Sequence, residues 1–183
     1  ITTRLVGSEM CIRDRRYPLP VGDYILYNDA VADVIARKQK RGIEVKKMDF
    51  LGTYNVCVDT KKDMQEIVGN ICGQQHARFR DECILAQNNG IKLYVLIENT
   101  DRIKCVEDVF HWQNPRMHRY NKIKYMHNLG KWQNIALPKA PPTKGEQLAK
   151  AMLSMQLKYG VKFLFCRPDE SGKKIVEIFT ESM

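Results

Sequence analysis

Asp59 and Lys61 stand two residues apart at the end of a run in which Tyr54, Val56 and Val58 alternate with Thr53, Asn55 and Cys57, the period-two pattern of a β-strand. On a strand, residues two apart share a face, so an acid and a cation are presented together while Thr60 points to the other side. A carboxylate placed there, joined by a second from a neighbouring strand, is the arrangement a magnesium-dependent phosphodiesterase needs. The carboxylates hold a hard cation that keeps several waters. The cation polarises a phosphate and activates water, and the lysine orients that water or neutralises developing charge. Asp-x-Lys alone carries little weight, because such tripeptides recur by chance and most are exposed surface pairs.

The second carboxylate is sought in Gly22-Asp23-Tyr24, where glycine permits a bend that aims the following acid at a neighbouring strand end. Arg78 and Glu82 are four apart on a helical pattern. They read either as a surface pair worth about 0.3 kcal/mol or as a phosphate contact and a support for the metal shell, and both readings stay open. His76, His111, His118 and His127 lack ligand spacing, so a zinc site is not expected.

A polyanion-binding segment is visible in the charge distribution. The 183 residues carry 30 Lys and Arg against 21 Asp and Glu, a formal +9. Residues 109–145 contain no acid, while Arg116, Arg119, Lys122, Lys124, Lys131, Lys139 and Lys144 lie among Phe110, Trp112, Tyr120, Tyr125 and Trp132. Cations for phosphates and flat rings for bases are what nucleic acid requires, so Arg116, Arg119, Lys122, Lys124 and Lys131 are the expected contacts. The plain alternative is a solvated insertion whose lysines serve solubility.

These residues need elements to position them. A short strand is expected at 19–26. A helix follows at 29–40, with Asn28 as N-cap, Asp29 and Asp33 early, Arg37, Lys38 and Lys40 late, and Gly42 as stop. The strand at 51–60 leads into a helix through Met64, Ile67, Val68 and Ile71. A further helix spans 75–89, a buried strand 91–98, a helix with Thr143 and Glu146 at capping-box spacing runs to Gly160, a strand covers 161–166, and a short helix 173–179. This order predicts an α/β protein with a mixed sheet flanked by helices. At 44% apolar and 28% charged residues the chain is too apolar to be disordered. Its longest apolar stretch falls far short of the roughly 18 residues of a membrane span. The six cysteines lack a C-x-x-C pair and read as reduced thiols of a cytoplasmic protein.

Leu19-Pro20-Val21-Gly22-Asp23-Tyr24-Ile25-Leu26 resembles the LPVGDY strand of the XPF-type nuclease family, the excision-repair cross-complementation group four domain. Val58-Asp59-Thr60-Lys61 is similar to that family's V-E-R-K strand, and Val95-Leu96-Ile97-Glu98 to its "LIE" strand. The resemblance covers residues 18–98 well and 145–180 loosely. It implies a restriction-endonuclease-like fold of the PD-(D/E)XK class and structure-selective cleavage of DNA in repair or recombination. It further implies Mg2+ or Mn2+ held by Asp23 and Asp59, with Lys61 as the catalytic lysine. Four departures accompany it: Asp59 for Glu, Thr60 for Arg, an insertion at about 27–50, and an early acidic element of the family that would fall ahead of residue 17. A rival alignment sets Gly52-Thr53-Tyr54 on the family's Gly-Asp-Tyr, which replaces one ligand by Thr53 and leaves a DNA-binding pseudo-nuclease.

Residues 1–16, opening on Ile1 with an aperiodic LVGSEMCIRDR run, resemble a translated sequencing-adaptor scar and are expected to be non-native. Residues 17–183 then form one nuclease domain of bacterial or phage type, with the 109–145 segment as a basic loop. The family's tandem helix-hairpin-helix module is not visible after residue 145. DNA is the expected partner, no membrane is involved, and a homodimer is left open.

Overall fold

A computed structural model describes residues 2–4 and 17–182. Four strands build a mixed sheet in sequence order: Tyr24–Leu26 (β2), Val56–Lys61 (β3), Lys92–Glu98 (β4) and Lys162–Cys166 (β5), with the short Thr2–Arg4 (β1) added beside β2. β3, β4 and β5 are mutually parallel, whereas β2 runs antiparallel to β3 with Tyr24 opposite Val58. Of the segment expected to be non-native, Thr2–Arg4 forms this edge strand, and residue 1 and residues 5–16 lie outside the described residues. The α/β class and mixed sheet anticipated from the element order are those observed.

Parallel neighbours need long crossovers, and helices supply them. Met64–Ile71 (α2) and His76–Asn88 (α3) join β3 to β4, while Gly145–Tyr159 (α6) precedes β5. One sheet face, carrying Cys57, Leu93, Val95, Ile97, Phe163 and Phe165, packs in the main core with Ile67, Phe79, Cys83, Leu148 and Met152 from these helices. The other face, with Val56, Val58 and Leu96, is covered by Ile175, Ile178 and Phe179 of Ser171–Glu181. β3 therefore has apolar neighbours on both sides, and any charge it carries is desolvated unless it lies at the sheet's end.

Local signals explain the boundaries. Asn28 Oδ1 accepts from Val31 N at 2.9 Å and starts Asp29–Lys40 (α1), whose expected range is the one seen. Asp63 caps α2 by accepting from Glu66 N at 2.8 Å, and the Glu66 carboxylate accepts from Lys62 N at 3.0 Å. The strand expected at 51–60 begins only at Val56. Before it, Thr53 turns back so that its N–H and Oγ1 both donate to the Phe50 carbonyl. Among the described residues no helix is long and apolar enough to cross a membrane.

The segment read as a basic loop is partly helical. After Val106–Val109 (α4), Asn114 accepts from Arg116 N at 3.0 Å and Pro115 opens Pro115–Asn128 (α5). Only Ile123 of α5 is buried, which is why apolar periodicity does not reveal this helix. The Asn114-Pro115 start signal was present in the sequence. Gly145 lets the start of α6 approach closely, since a Cβ there would collide with the carbonyls of Val109 and Trp112.

Candidate active site at the end of the central strand

Cys57, Asp59 and Lys61 alternate along β3 with Val58 and Thr60, so Asp59 and Lys61 face α3. Both are buried, at 4% and 5% exposure, despite lying on a strand that ends at Lys61. Lys61 Nζ donates to Asp59 Oδ1 at 2.8 Å and lies 2.6 Å from Oδ2. Only the first contact is aligned as a hydrogen bond, and Oδ2 is left buried with no hydrogen-bond partner. The ammonium also sits 5.7 Å from the centroid of the Phe79 ring on α3, within cation–π range.

Asp23 arrives from the antiparallel strand. The bend depends on Gly22, which has φ +73° and whose missing Cβ would lie 2.9 Å from Cys57 Cβ. The Asp23 N–H donates to the Val58 carbonyl at 2.8 Å. Asp23 Oδ2 accepts from both Thr60 N and Thr60 Oγ1 at 2.9 Å. The carboxylate is thereby tied to the residue between Asp59 and Lys61. Tyr54 steadies the same loop, its hydroxyl donating to the Val21 carbonyl at 3.0 Å. Glu82 Oε1 accepts from Gly22 N at 2.9 Å.

The electrostatics follow from this crowding. Burial pushes the Asp59 carboxyl up to about 7 against the opposing pull of Lys61, and the charges of Asp23 and Glu82 push it the same way as burial. Asp59 alone of these carboxylates is paired with the Lys61 ammonium. Carboxylate oxygens at a strand end are the kind of hard donor a divalent cation takes, and here both Asp59 oxygens lie against the Lys61 ammonium. Among the described residues no group of three or more His, Cys, Asp or Glu side chains gathers as a ligand cluster.

The expected residues are distributed as follows. Lys61 pairs with Asp59, Asp23 is bonded to Thr60 between them, and Glu82 is bonded to Gly22 next to Asp23. Arg78 is exposed on α3 and makes no ion pair with Glu82 or any other described residue. Thr53 lies in the turn before β3, bonded to Phe50, while Asp23 occupies the edge beside Thr60. Sequence reasoning misses Thr60 and Phe79 as parts of the site. Thr60 stands out only as a departure from the family's Arg, and Phe79 is indistinguishable from a core residue until its neighbour is known.

Arg116, Arg119, Lys122, Lys124 and Lys131 are all exposed on α5 and the loop after it. The rings expected among them divide. Trp112 is buried and donates from Nε1 to Asp101 Oδ2 at 3.0 Å, and Phe110 packs on the core. Trp112 is thus committed to the core, while Phe110 is half-buried against it. Tyr125 and Trp132 remain outward, at 63% and 36% exposure, with Lys122 Nζ 5.6 Å from the Trp132 ring centroid. Gln65 on α2 donates to Asn114 Oδ1 at 2.9 Å, which anchors the start of α5 to the helix that follows Lys61.

A mixed sheet with helices on both faces, three parallel strands and an antiparallel neighbour is a restriction-endonuclease-like fold. The family model for the ERCC4 domain matches residues 7–178. The chain belongs to the ERCC4 domain family, a nuclease family of DNA repair. Neither the curated proteins nor the solved structures compared with it gave a match.

Proposed function

We propose that this chain is a divalent-metal-dependent DNA endonuclease, selective for DNA structure and acting in repair or recombination. The observation that carries the reading is the buried Asp59–Lys61 pair beside an Asp23 held by Thr60. Asp23 and Asp59 would hold Mg2+ or Mn2+, which supplies a Lewis acid for a phosphoryl oxygen and acidifies water. Lys61 is positioned in advance by Asp59 and Phe79, and its remaining protons serve a water or a phosphate oxygen as negative charge develops. Thr60 fixes the Asp23 carboxylate through two donors, and Glu82 fixes the bend that delivers it. The exposed cations Arg116, Arg119, Lys122, Lys124 and Lys131 contact phosphates.

Asp23→Asn and Asp59→Asn, each in the full chain, are expected to abolish nicking of branched DNA in Mg2+ or Mn2+ while binding persists. Lys61→Ala is expected to slow it by about 100-fold or more. Unchanged cleavage by either carboxylate variant refutes the assignment. A second reading, a DNA-binding pseudo-nuclease, draws on the closeness of Lys61 Nζ to both Asp59 oxygens, where the ammonium competes with a metal for the carboxylate. A wild-type chain that binds branched DNA and never nicks it in either metal would establish that reading.

A further inference from the structure

From residue 17 on, the chain outside 109–145 carries 19 cations against 19 acids, and that balance conceals a second concentration of charge. Between residues 37 and 47 stand Arg37, Lys38, Lys40, Arg41, Lys46 and Lys47, against the single acid Glu44. The first three lie in the last turns of α1, where cations complement the helix dipole, and that local role accounts for them. It does not account for Arg41, Lys46 and Lys47, which continue the run beyond the helix.

Most of this charge is uncommitted. Lys38 is paired with Asp49 at 3.0 Å, and Arg37 Nε donates to the Asp33 carbonyl. Lys40, Arg41 and Lys47 are exposed and form no ion pair with a described residue. The backbone beneath them is ordered by its own bonds: Ile43 N donates to the Lys38 carbonyl at 2.9 Å, and Lys46 N to Asp49 Oδ2 at 2.8 Å. No aromatic residue lies between 37 and 47, in contrast to the rings beside Lys122.

We infer that residues 37–47 form a second nucleic-acid surface, one that grips the phosphate backbone of duplex DNA, distinct from α5 and its exposed rings. Cations without stacking partners recognise a continuous phosphate array and nothing of an unpaired base. Tyr125 and Trp132 give the α5 arm what an unpaired strand requires. The two surfaces also spring from different places. α1 begins beyond Leu26, toward the Val56 end of β3, as the antiparallel register dictates. The start of α5 is tied to α2 beyond Lys61.

This inference rests on the reading of the chain as a nucleic-acid enzyme, and binding without cleavage separates the two. Affinity of the full chain for a plain duplex and for a single strand is measured over a range of salt in EDTA, for wild type and for Lys40→Ala/Arg41→Ala/Lys46→Ala/Lys47→Ala. The variant is expected to bind duplex at least about tenfold more weakly, with a salt slope lower by roughly 3 to 4, and to bind the single strand as wild type does. A retained circular-dichroism spectrum and thermal midpoint show that the fold survives. Unchanged duplex affinity and slope overturn the inference and leave the nuclease reading intact, as does an equal loss on both ligands. A wild-type chain that binds neither ligand at any salt overturns both.

Discussion

The carboxylate of Glu82, in the middle of α3, accepts a hydrogen bond from the Gly22 N–H at 2.9 Å across sixty residues of chain. The loop that delivers Asp23 is therefore held by a helix of the crossover from β3 to β4. Glu82→Ala leaves a partly buried donor unsatisfied and is expected to cost about 1 to 3 kcal/mol and to depress nicking. Glu82→Gln retains an acceptor and should keep most of both. Urea unfolding and single-turnover cleavage of the two variants measure this, and equal losses would show that charge and not the bond is what Gly22 requires.

Gly22→Ala tests the bend itself. The residue sits at φ +73° with Cys57 Cβ 2.9 Å from the would-be methyl, so left-handed strain and overpacking combine to roughly 2 to 4 kcal/mol. A stability within about 0.5 kcal/mol of wild type, the range of an ordinary surface substitution, would mean that the loop adopts another path.

The Asp59 carboxyl gives a pH signature to the metal-free protein. It keeps its proton in the folded state up to about 7 and releases it near about 3.9 when unfolded. Between those values the unfolded chain binds fewer protons, so this group's contribution to stability is full below the lower value and is lost as pH rises through the upper one. Asp59→Asn cannot titrate there. Its stability in EDTA should improve relative to wild type as pH rises from about 4 to about 7, by at most about 1.4 kcal/mol per pH unit, and run parallel above. Parallel curves throughout would place an ordinary carboxyl in the site.

Trp112 and Trp132 should separate cleanly. Trp112→Ala removes a buried ring and its bond to Asp101 and is expected to cost about 3 to 5 kcal/mol of stability. Trp132→Ala should leave the melting temperature near wild type and weaken single-strand binding by about 1 to 3 kcal/mol. The reverse outcome would return Trp112 to the binding surface.

Changing Arg116, Arg119, Lys122 and Lys124 to Ala should weaken binding to branched DNA and lower its salt slope by roughly 0.7 to 0.9 for each phosphate that is no longer neutralised. All four side chains are exposed, so the fold should survive. Identical affinity and slope would mark α5 as solubilising surface.

What the sequence makes legible divides along the range of the interactions. α1 is legible to the residue because cap, apolar period, dipole charges and stop signal all lie within a short stretch of chain. Asp59 and Lys61 are legible as a pair because period two alone puts them on one face. Their burial is not, since it depends on other elements such as α3, whose Phe79 ring lies against Lys61. Asp23 can be nominated by its glycine, yet its bond to Thr60 depends on the antiparallel register of β2 on β3. α5 escapes notice because one buried isoleucine leaves no apolar stripe to detect. Trp112 misleads because an aromatic among cations looks the same whether it faces water or an Asp101 carboxylate.

Asn114 does more than start a helix. Its Nδ2 donates to the Thr143 carbonyl at 2.9 Å, while its Oδ1 takes bonds from Arg116 and Gln65. The chain that leaves the core at Asn114 therefore returns to the same side chain before α6 begins, and the cationic excursion in between is pinched shut at its neck. An excursion closed in this way is a cassette. Because its closure is already made by the core, changes in its length cost little further loop entropy, and they can be absorbed without refolding the sheet.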